Sequence, residues 1–212
     1  MESEVRFYYS NDKYEELNNM LKKYESLNYE GCFFESTIQY DHPMSQRSFY
    51  KKETDGRFRV RTSREMNTGV SKAKISWKRR IPETFQGMVN NEVEVELNFK
   101  YNELKSLIFL LEDVIQMKKI ESYERYRNVF YNNDIEIVVD KYPFGVALEI
   151  ENKNIKKNPN ETILFWIKKL DLDINKAFRL SWDDKYTQLC KEQNIEIYKN
   201  VKFGLPMPKV ID

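Results

Sequence analysis

Through most of residues 2–152, apolar and polar side chains alternate one for one, the period of a strand with two unlike faces. The alternation predicts strands over residues 2–9, 33–40, 47–52, 57–63, 72–80, 91–99, 123–131, 134–140 and 146–152. Short polar connections such as "ETDG" and "YNND" suit antiparallel pairing. Four segments switch to helical spacing. Over 11–27, Tyr14, Leu17, Leu21 and Tyr24 share one stripe, and over 102–119 Leu104, Leu107, Ile108, Leu111 and Ile115 do the same. Two shorter helices are expected at 160–172 and 183–193, each behind an Asn or Asp cap. Helices set between runs of strands indicate an α+β fold. No linker or repeat divides the chain. It therefore reads as a single domain, 1–212, with a helical segment at 160–195 and an irregular, proline-blocked tail at 203–212.

Composition narrows the chemistry. Of 212 residues, 41% are hydrophobic, enough for one substantial core. The 35 basic and 34 acidic side chains nearly cancel, so the whole molecule has no bulk attraction for DNA or for an anionic membrane. There is no apolar run of signal-peptide or membrane-spanning length, and the two cysteines, Cys32 and Cys190, have no ligand-like spacing. These features lead us to expect a cytoplasmic protein with reduced thiols and no membrane partner. His42 is the only histidine, which disfavours Ser-His, Cys-His and His-rich metal chemistry. Function must rest on carboxylates, lysines and arginines.

Those charges are sorted by sign within strands. Glu2, Glu4 and Arg6 share one face of the first strand. Arg57, Arg59 and Arg61 line the next basic strand, and Lys72, Lys74, Lys78 and Arg80 the one after it. Glu92, Glu94 and Glu96 are grouped, as are Arg125 and Arg127, Glu136 and Asp140, and Glu149 and Glu151. Like charges in a row repel by up to about 1 kcal/mol per close pair in water. A face selected for solubility alone would mix signs. Opposite charges must therefore meet across strands, or a multiply charged ligand must join them. A sheet closed into a barrel, with helices outside, would place this face in a wet lumen. Arginine and lysine hold phosphate oxygens, and clustered carboxylates offer oxygen ligands to Mg²⁺ or Mn²⁺. Together they favour phosphoryl or nucleotidyl transfer. The sequence has no Walker glycine loop, so side chains must form the phosphate cradle.

The order of these motifs resembles the CYTH superfamily, the triphosphate tunnel metalloenzymes. An N-terminal E-x-E-x-K is matched by "ESEVR", with Arg6 in the lysine's place, and R-x-R by Arg59 and Arg61. A strand ending in lysine is matched by "KISWK" with Lys78, and the acidic strand by "NEVEVEL". Arg125 and Arg127 match a later basic strand, and Asp140, Glu149 and Glu151 the closing aspartate and E-x-E. The resemblance covers residues 2 to about 152. It implies a closed barrel of eight antiparallel strands that binds a triphosphate lengthwise with a divalent metal. It further implies metal ligation by Glu2, Glu4, Glu149 and Glu151, with Asp140 either a further metal ligand or a residue that orients an arginine, and phosphate binding by Arg6, Arg59, Arg61, Lys78, Arg125 and Arg127. Glu92 and Glu94 would serve the catalytic water. Arg57, Lys72, Lys74, Arg80, Glu96 and Glu136 are secondary candidates. The implied activity is hydrolysis of the terminal phosphate of tripolyphosphate, thiamine triphosphate, a nucleoside triphosphate or an RNA 5′-triphosphate. Small substrates are favoured because no extra basic stripe serves an RNA chain. The alternatives are an adenylyl cyclase and a non-catalytic polyphosphate- or nucleotide-binding module.

Overall fold

Every alternating run but one becomes a strand of a single curled sheet. The structure is a computed structural model describing residues 2–81, 90–178 and 180–211, without the side chains of Glu2, Asn90 and Asn91. The strands are β1 (Glu2–Tyr9), β2 (Asn28–Asp41), β3 (Gly56–Glu65), β4 (Ser71–Arg80), β5 (Asn90–Phe99), β6 (Lys118–Tyr131), β7 (Ile135–Tyr142) and β8 (Gly145–Asn152). A two-residue strand, β9 (Asn200–Val201), adds to β6 in parallel. The helices are α1 (Lys13–Lys22), α2 (Leu104–Phe109), α3 (Pro159–Lys169) and α4 (Trp182–Glu192). None of the described helices is long and apolar enough to cross a membrane.

Two expectations fail locally. Residues 47–52 do not form a strand. The Asp41 carboxylate accepts from the backbone N–H of His42 and Phe49 and from the Ser48 hydroxyl, which turns the chain into a short 3₁₀ segment, Ser45–Arg47, and tight turns. The second helix is also shorter than expected. After α2 the chain widens into a π-turn at Leu110–Val114 and reverses at Gln116, whose φ is +60°. Residues 118–122 then pair with β2 instead of extending the helix.

The strands are ordered β2-β3-β4-β5-β1-β8-β7-β6, all antiparallel, and β6 also pairs with β2. The seam between β1 and β5 is weak. Among the described residues these strands pair over Glu2–Glu4 against Asn90–Glu92, whereas β1 stays on β8 from Glu4 to Tyr9. The sheet is thus an open barrel and not the closed one expected from the sequence.

Three apolar clusters hold the curl in place. Val5, Phe7, Ile137, Val139, Leu148 and Ile150 pack outward against Leu17 and Leu21 of α1 and Ile163, Trp166 and Ile167 of α3. Full burial of such side chains contributes about 1.5–3 kcal/mol each. Leu111, just beyond α2, covers Tyr40 and Val60 on the outer face of β2 and β3. At one end, Trp182, Tyr186, Leu189 and Cys190 of α4 pack on Tyr123, Tyr142, Phe144 and Ala147. The expected tail is irregular but anchored, with Met207 and Val210 buried in this cluster and Val210 N donating to Phe144 O at 2.8 Å.

Candidate functional site

Strand register makes the charge sorting complementary. Lys78 stands opposite Glu94 and Arg80 opposite Glu92 between β4 and β5. Glu4 faces Glu151, and Arg6 faces Glu149, between β1 and β8. Glu35 of β2 faces Arg125 of β6, and Arg127 faces Asp140 of β7. Opposite signs thus face each other across the β4–β5, β2–β6 and β6–β7 seams, while Glu4 and Glu151 set two carboxylates side by side between β1 and β8.

The side chains form a connected ionic network. Arg6 reaches Glu149 and Glu4, both at 2.6 Å. Lys78 Nζ lies 2.6 Å from Glu92 and 3.7 Å from both Glu4 and Glu94. Arg59 contacts Glu94 at 3.3 Å, and Lys74 pairs with Glu96. Asp140, fully buried, accepts from Arg125 Nη1 at 2.7 Å and from Arg127 Nε and Nη2 at 2.7 and 2.6 Å. Burial alone would push the Glu149 and Glu35 carboxyls up. The guanidiniums of Arg6, Arg127 and Arg125 for Glu149, and of Arg125, Arg61 and Arg127 for Glu35, instead hold both well below the usual carboxylate range.

A cleft of about 580 Å³, open to solvent, runs through the network. Glu4, Arg6, Arg59, Arg61, Lys78, Glu94, Arg125, Arg127, Glu149 and Glu151 all line it. Towards α4 it continues into a second cavity lined by Arg57, Arg80, Glu92 and Asp183. Away from α4 it joins a third, lined by Glu35, Lys72 and Asn98. The first turn of α4 caps the near end: Arg80 binds Asp184 at 2.7 Å and Arg57 binds Asp183 at 3.3 Å. The Nε groups of Arg57 and Arg59 are buried with no hydrogen-bond partner among the described residues. Unmatched guanidinium donors at an inner face are what an anionic oxygen would satisfy.

No protein-family model and no curated protein matches the chain. Solved structures do. The PH1819 protein of Pyrococcus horikoshii OT3 superposes with a TM-score of 0.62 and 23% identity, over 91% of this chain and 99% of that one. HpAC1 from Hippeastrum, reported with a dominant triphosphatase activity, gives a TM-score of 0.58 and 13% identity over 93% and 98%. A candidate adenylate cyclase of Vibrio parahaemolyticus gives 0.56 and 17% over 86% and 95%. The chain shares the fold of these structures.

On this fold, the residues expected to bind phosphate converge in one cleft. Glu92 lies one cavity nearer α4 than Glu94. Asp140 sits beneath the floor, with both oxygens held by arginine. Glu136 and Glu151 both reach Lys153, at 3.7 and 2.8 Å, and Lys72 is exposed at the far mouth. The Glu2 side chain lies outside the described residues. Sequence reasoning missed several contributors. Glu35, Thr37 and Gln39 alternate along "FESTIQY" and were legible by the same period of two. Tyr123 precedes Arg125 on the same face. Trp182 and the α4 aspartates reach the site only through tertiary packing, with the Trp182 ring 4.2 Å from that of Tyr123.

The donor set suits a hard divalent ion: Glu4, Glu149 and Glu151 line the same wall and offer only oxygen. Among the described residues, however, no three carboxylates are gathered into a ready ion-binding group. Arg6 engages one oxygen each of Glu4 and Glu149; the second oxygen of Glu4 has Lys78 at 3.7 Å, and that of Glu149 has Arg127 at 3.1 Å, so an ion would share these carboxylates with the cationic side chains.

Proposed function

We propose that the chain is a divalent-metal-dependent triphosphatase that releases the terminal phosphate of a small triphosphate. The carrying observation is the convergence of eight cationic side chains and six carboxylates on one cleft, with the buried Nε of Arg59 left unmatched among the described residues. Arg59, Arg61, Arg125 and Arg127 bind the phosphate chain, and Lys78 and Arg6 bind its end nearest the carboxylates. Glu4, Glu149 and Glu151 hold Mg²⁺ or Mn²⁺, which supplies charge neutralisation at the attacked phosphorus. Glu94, with Glu92 behind it, orients the water and accepts its proton. Fixed cations aimed at the developing charge supply most of the rate enhancement. The dominant triphosphatase activity of HpAC1, on the same fold, supports this reading.

The test is incubation of purified protein with tripolyphosphate, thiamine triphosphate, ATP and triphosphorylated RNA, with Mg²⁺ or Mn²⁺. Orthophosphate release, greatest from a small substrate, is the expected result. Cyclic AMP with pyrophosphate would replace this reading with a cyclase. Binding without turnover at either metal would leave only a polyphosphate-binding module.

A further inference from the structure

Tyr123 stands beside the arginine that, among the described residues of the cradle, has the loosest counter-ion. Arg125 is matched by Glu35 and Asp140, each at 2.7 Å, and Arg59 by Glu94 at 3.3 Å. Arg61 is matched least. Its nearest carboxylate, Glu35, is 3.6 Å away and already bound to Arg125. Its close partners are neutral oxygens, Thr37 Oγ1 at 3.0 Å and the Tyr123 hydroxyl at 2.8 Å. Tyr123 is only 1% exposed, with its ring against Trp182 of α4 and its hydroxyl in the cleft.

Resting on the triphosphatase reading, we propose that Tyr123 is a resident anion of this cradle: its phenolate neutralises Arg61 until a polyphosphate enters, then takes a proton and yields the guanidinium. The step is an acid–base exchange. The phenolate oxygen gains one proton from solvent, and a phosphate oxygen replaces it as acceptor on Arg61. Tyr123 is thereby a positioning residue, which sets the charge and availability of a phosphate-binding arginine.

The surrounding charges support this direction. Burial would push the phenol up, but the guanidiniums of Arg61, Arg59 and Arg125, with a hydrogen bond involving Thr37, bring it down to about 7. The groups facing it are Arg59 and Arg61 from β3, Glu35 from β2, Tyr142 from β7, Arg125 from its own strand and Trp182 from α4, with Glu94 of β5 behind Arg59. Nearby Tyr142 moves the other way, because burial outweighs the single close guanidinium of Arg125. One tyrosine of 14 should therefore ionise near neutrality.

The experiment follows near-ultraviolet tyrosinate absorbance through a pH titration of the wild-type chain and Tyr123→Phe, and then on addition of tripolyphosphate one pH unit above the midpoint. The expected result is a one-tyrosine step near neutrality, absent from the variant, which tripolyphosphate reverses in the wild type. Calorimetry in two buffers of different ionisation enthalpy should show uptake approaching one proton per ligand, again only in the wild type. Above the midpoint, the wild-type affinity relative to Tyr123→Phe should fall by up to about tenfold per pH unit. Tripolyphosphate binding with an unchanged tyrosinate signal overturns this role alone. Failure of tripolyphosphate to bind overturns the functional reading and this role with it. The wild-type absorbance change decides the matter even where the variant folds poorly.

Discussion

Replacing Asp140 with Asn removes one charge from the most buried ionic contact of the network while conserving volume. Asp140 is 0% exposed and accepts three guanidinium hydrogen bonds at 2.6–2.7 Å. The side chains of Arg125 and Arg127 are 4% and 17% exposed, so water replaces little of what is lost. Breaking a buried pair by removing one partner costs about 3–5 kcal/mol. The lower part of that range is expected, because Arg125 keeps Glu35 at 2.7 Å and Arg127 keeps Glu149 at 3.1 Å. For a chain of this length each kcal/mol corresponds to roughly 2–4 °C of melting temperature, which gives a drop of about 6–12 °C for a 3 kcal/mol loss. Urea unfolding followed by circular dichroism at neutral pH reads the loss directly. A metal-ligand role for Asp140, the alternative implied by the family resemblance, predicts the reverse pattern: turnover and metal response lost with stability nearly unchanged. An Asp140→Asn midpoint within about 0.5 kcal/mol of wild type would refute the counter-ion argument.

Glu149→Gln should reduce phosphate release by roughly 100-fold or more while far-ultraviolet dichroism stays native, since a lost charge contact at the reacting end is worth several kcal/mol; full activity would remove Glu149 from the site. Chelation of divalent ions should abolish phosphate release and restoring Mg²⁺ or Mn²⁺ should recover it, while Glu4→Gln should shift the half-saturating metal concentration upward. Glu35 and Glu149 both have folded-state carboxyl pKa values lowered beneath the usual 4.5, so their stabilisation is complete above that pH and is lost as pH falls through it towards the folded values. Glu35→Gln should accordingly flatten the acid limb of the stability–pH curve, measured by denaturant midpoints; an unaltered acid limb would show that Glu35 is not a counter-ion.

The sheet and much of the cleft were legible because both rest on a period of two. Side chains at i, i+2 and i+4 share a face whatever their strand pairs with, so Arg59 with Arg61, and Glu149 with Glu151, could be grouped without coordinates. The pairing of β1 with β8 from Glu4 to Tyr9 then sets Arg6 opposite Glu149. What escaped was set by side chains acting outside that period. Asp41 captures the backbone of Phe49 and turns 47–52 away from the sheet. A helical apolar stripe continues through Ile115, but the chain turns at Gln116 because β6 gains a ladder along β2. The barrel is open at the β1–β5 seam, where the described pairing is three residues long, Glu2–Glu4 against Asn90–Glu92, a register that no alternation within one strand encodes. The capping of one end by α4 depends on the fit of Trp182 against Tyr123 and Tyr142, which no local pattern encodes.

The charge of the cleft itself narrows the ligand. Among its lining residues eight are basic (Arg6, Arg59, Arg61, Lys74, Lys78, Arg125, Arg127 and Lys153) and six acidic (Glu4, Glu94, Glu96, Glu136, Glu149 and Glu151). The excess is therefore only two positive charges, despite the density of arginine. A bare triphosphate would overcharge such a cleft and crowd its phosphates against glutamates, whose repulsion in a partly desolvated site far exceeds its value in water. A triphosphate carrying a divalent ion presents a smaller net charge and gives the glutamates a cation to hold. On the proposed triphosphatase reading, the carboxylates would be the part of the anion site that selects the metal complex over the free anion. Apparent affinity for tripolyphosphate should thus rise with Mg²⁺ in the wild-type chain, and Glu149→Gln together with Glu4→Gln should invert that preference by favouring the free anion. Equal affinity for the free and metal-bound anion in the wild type would show that the glutamates serve only to hold Arg6.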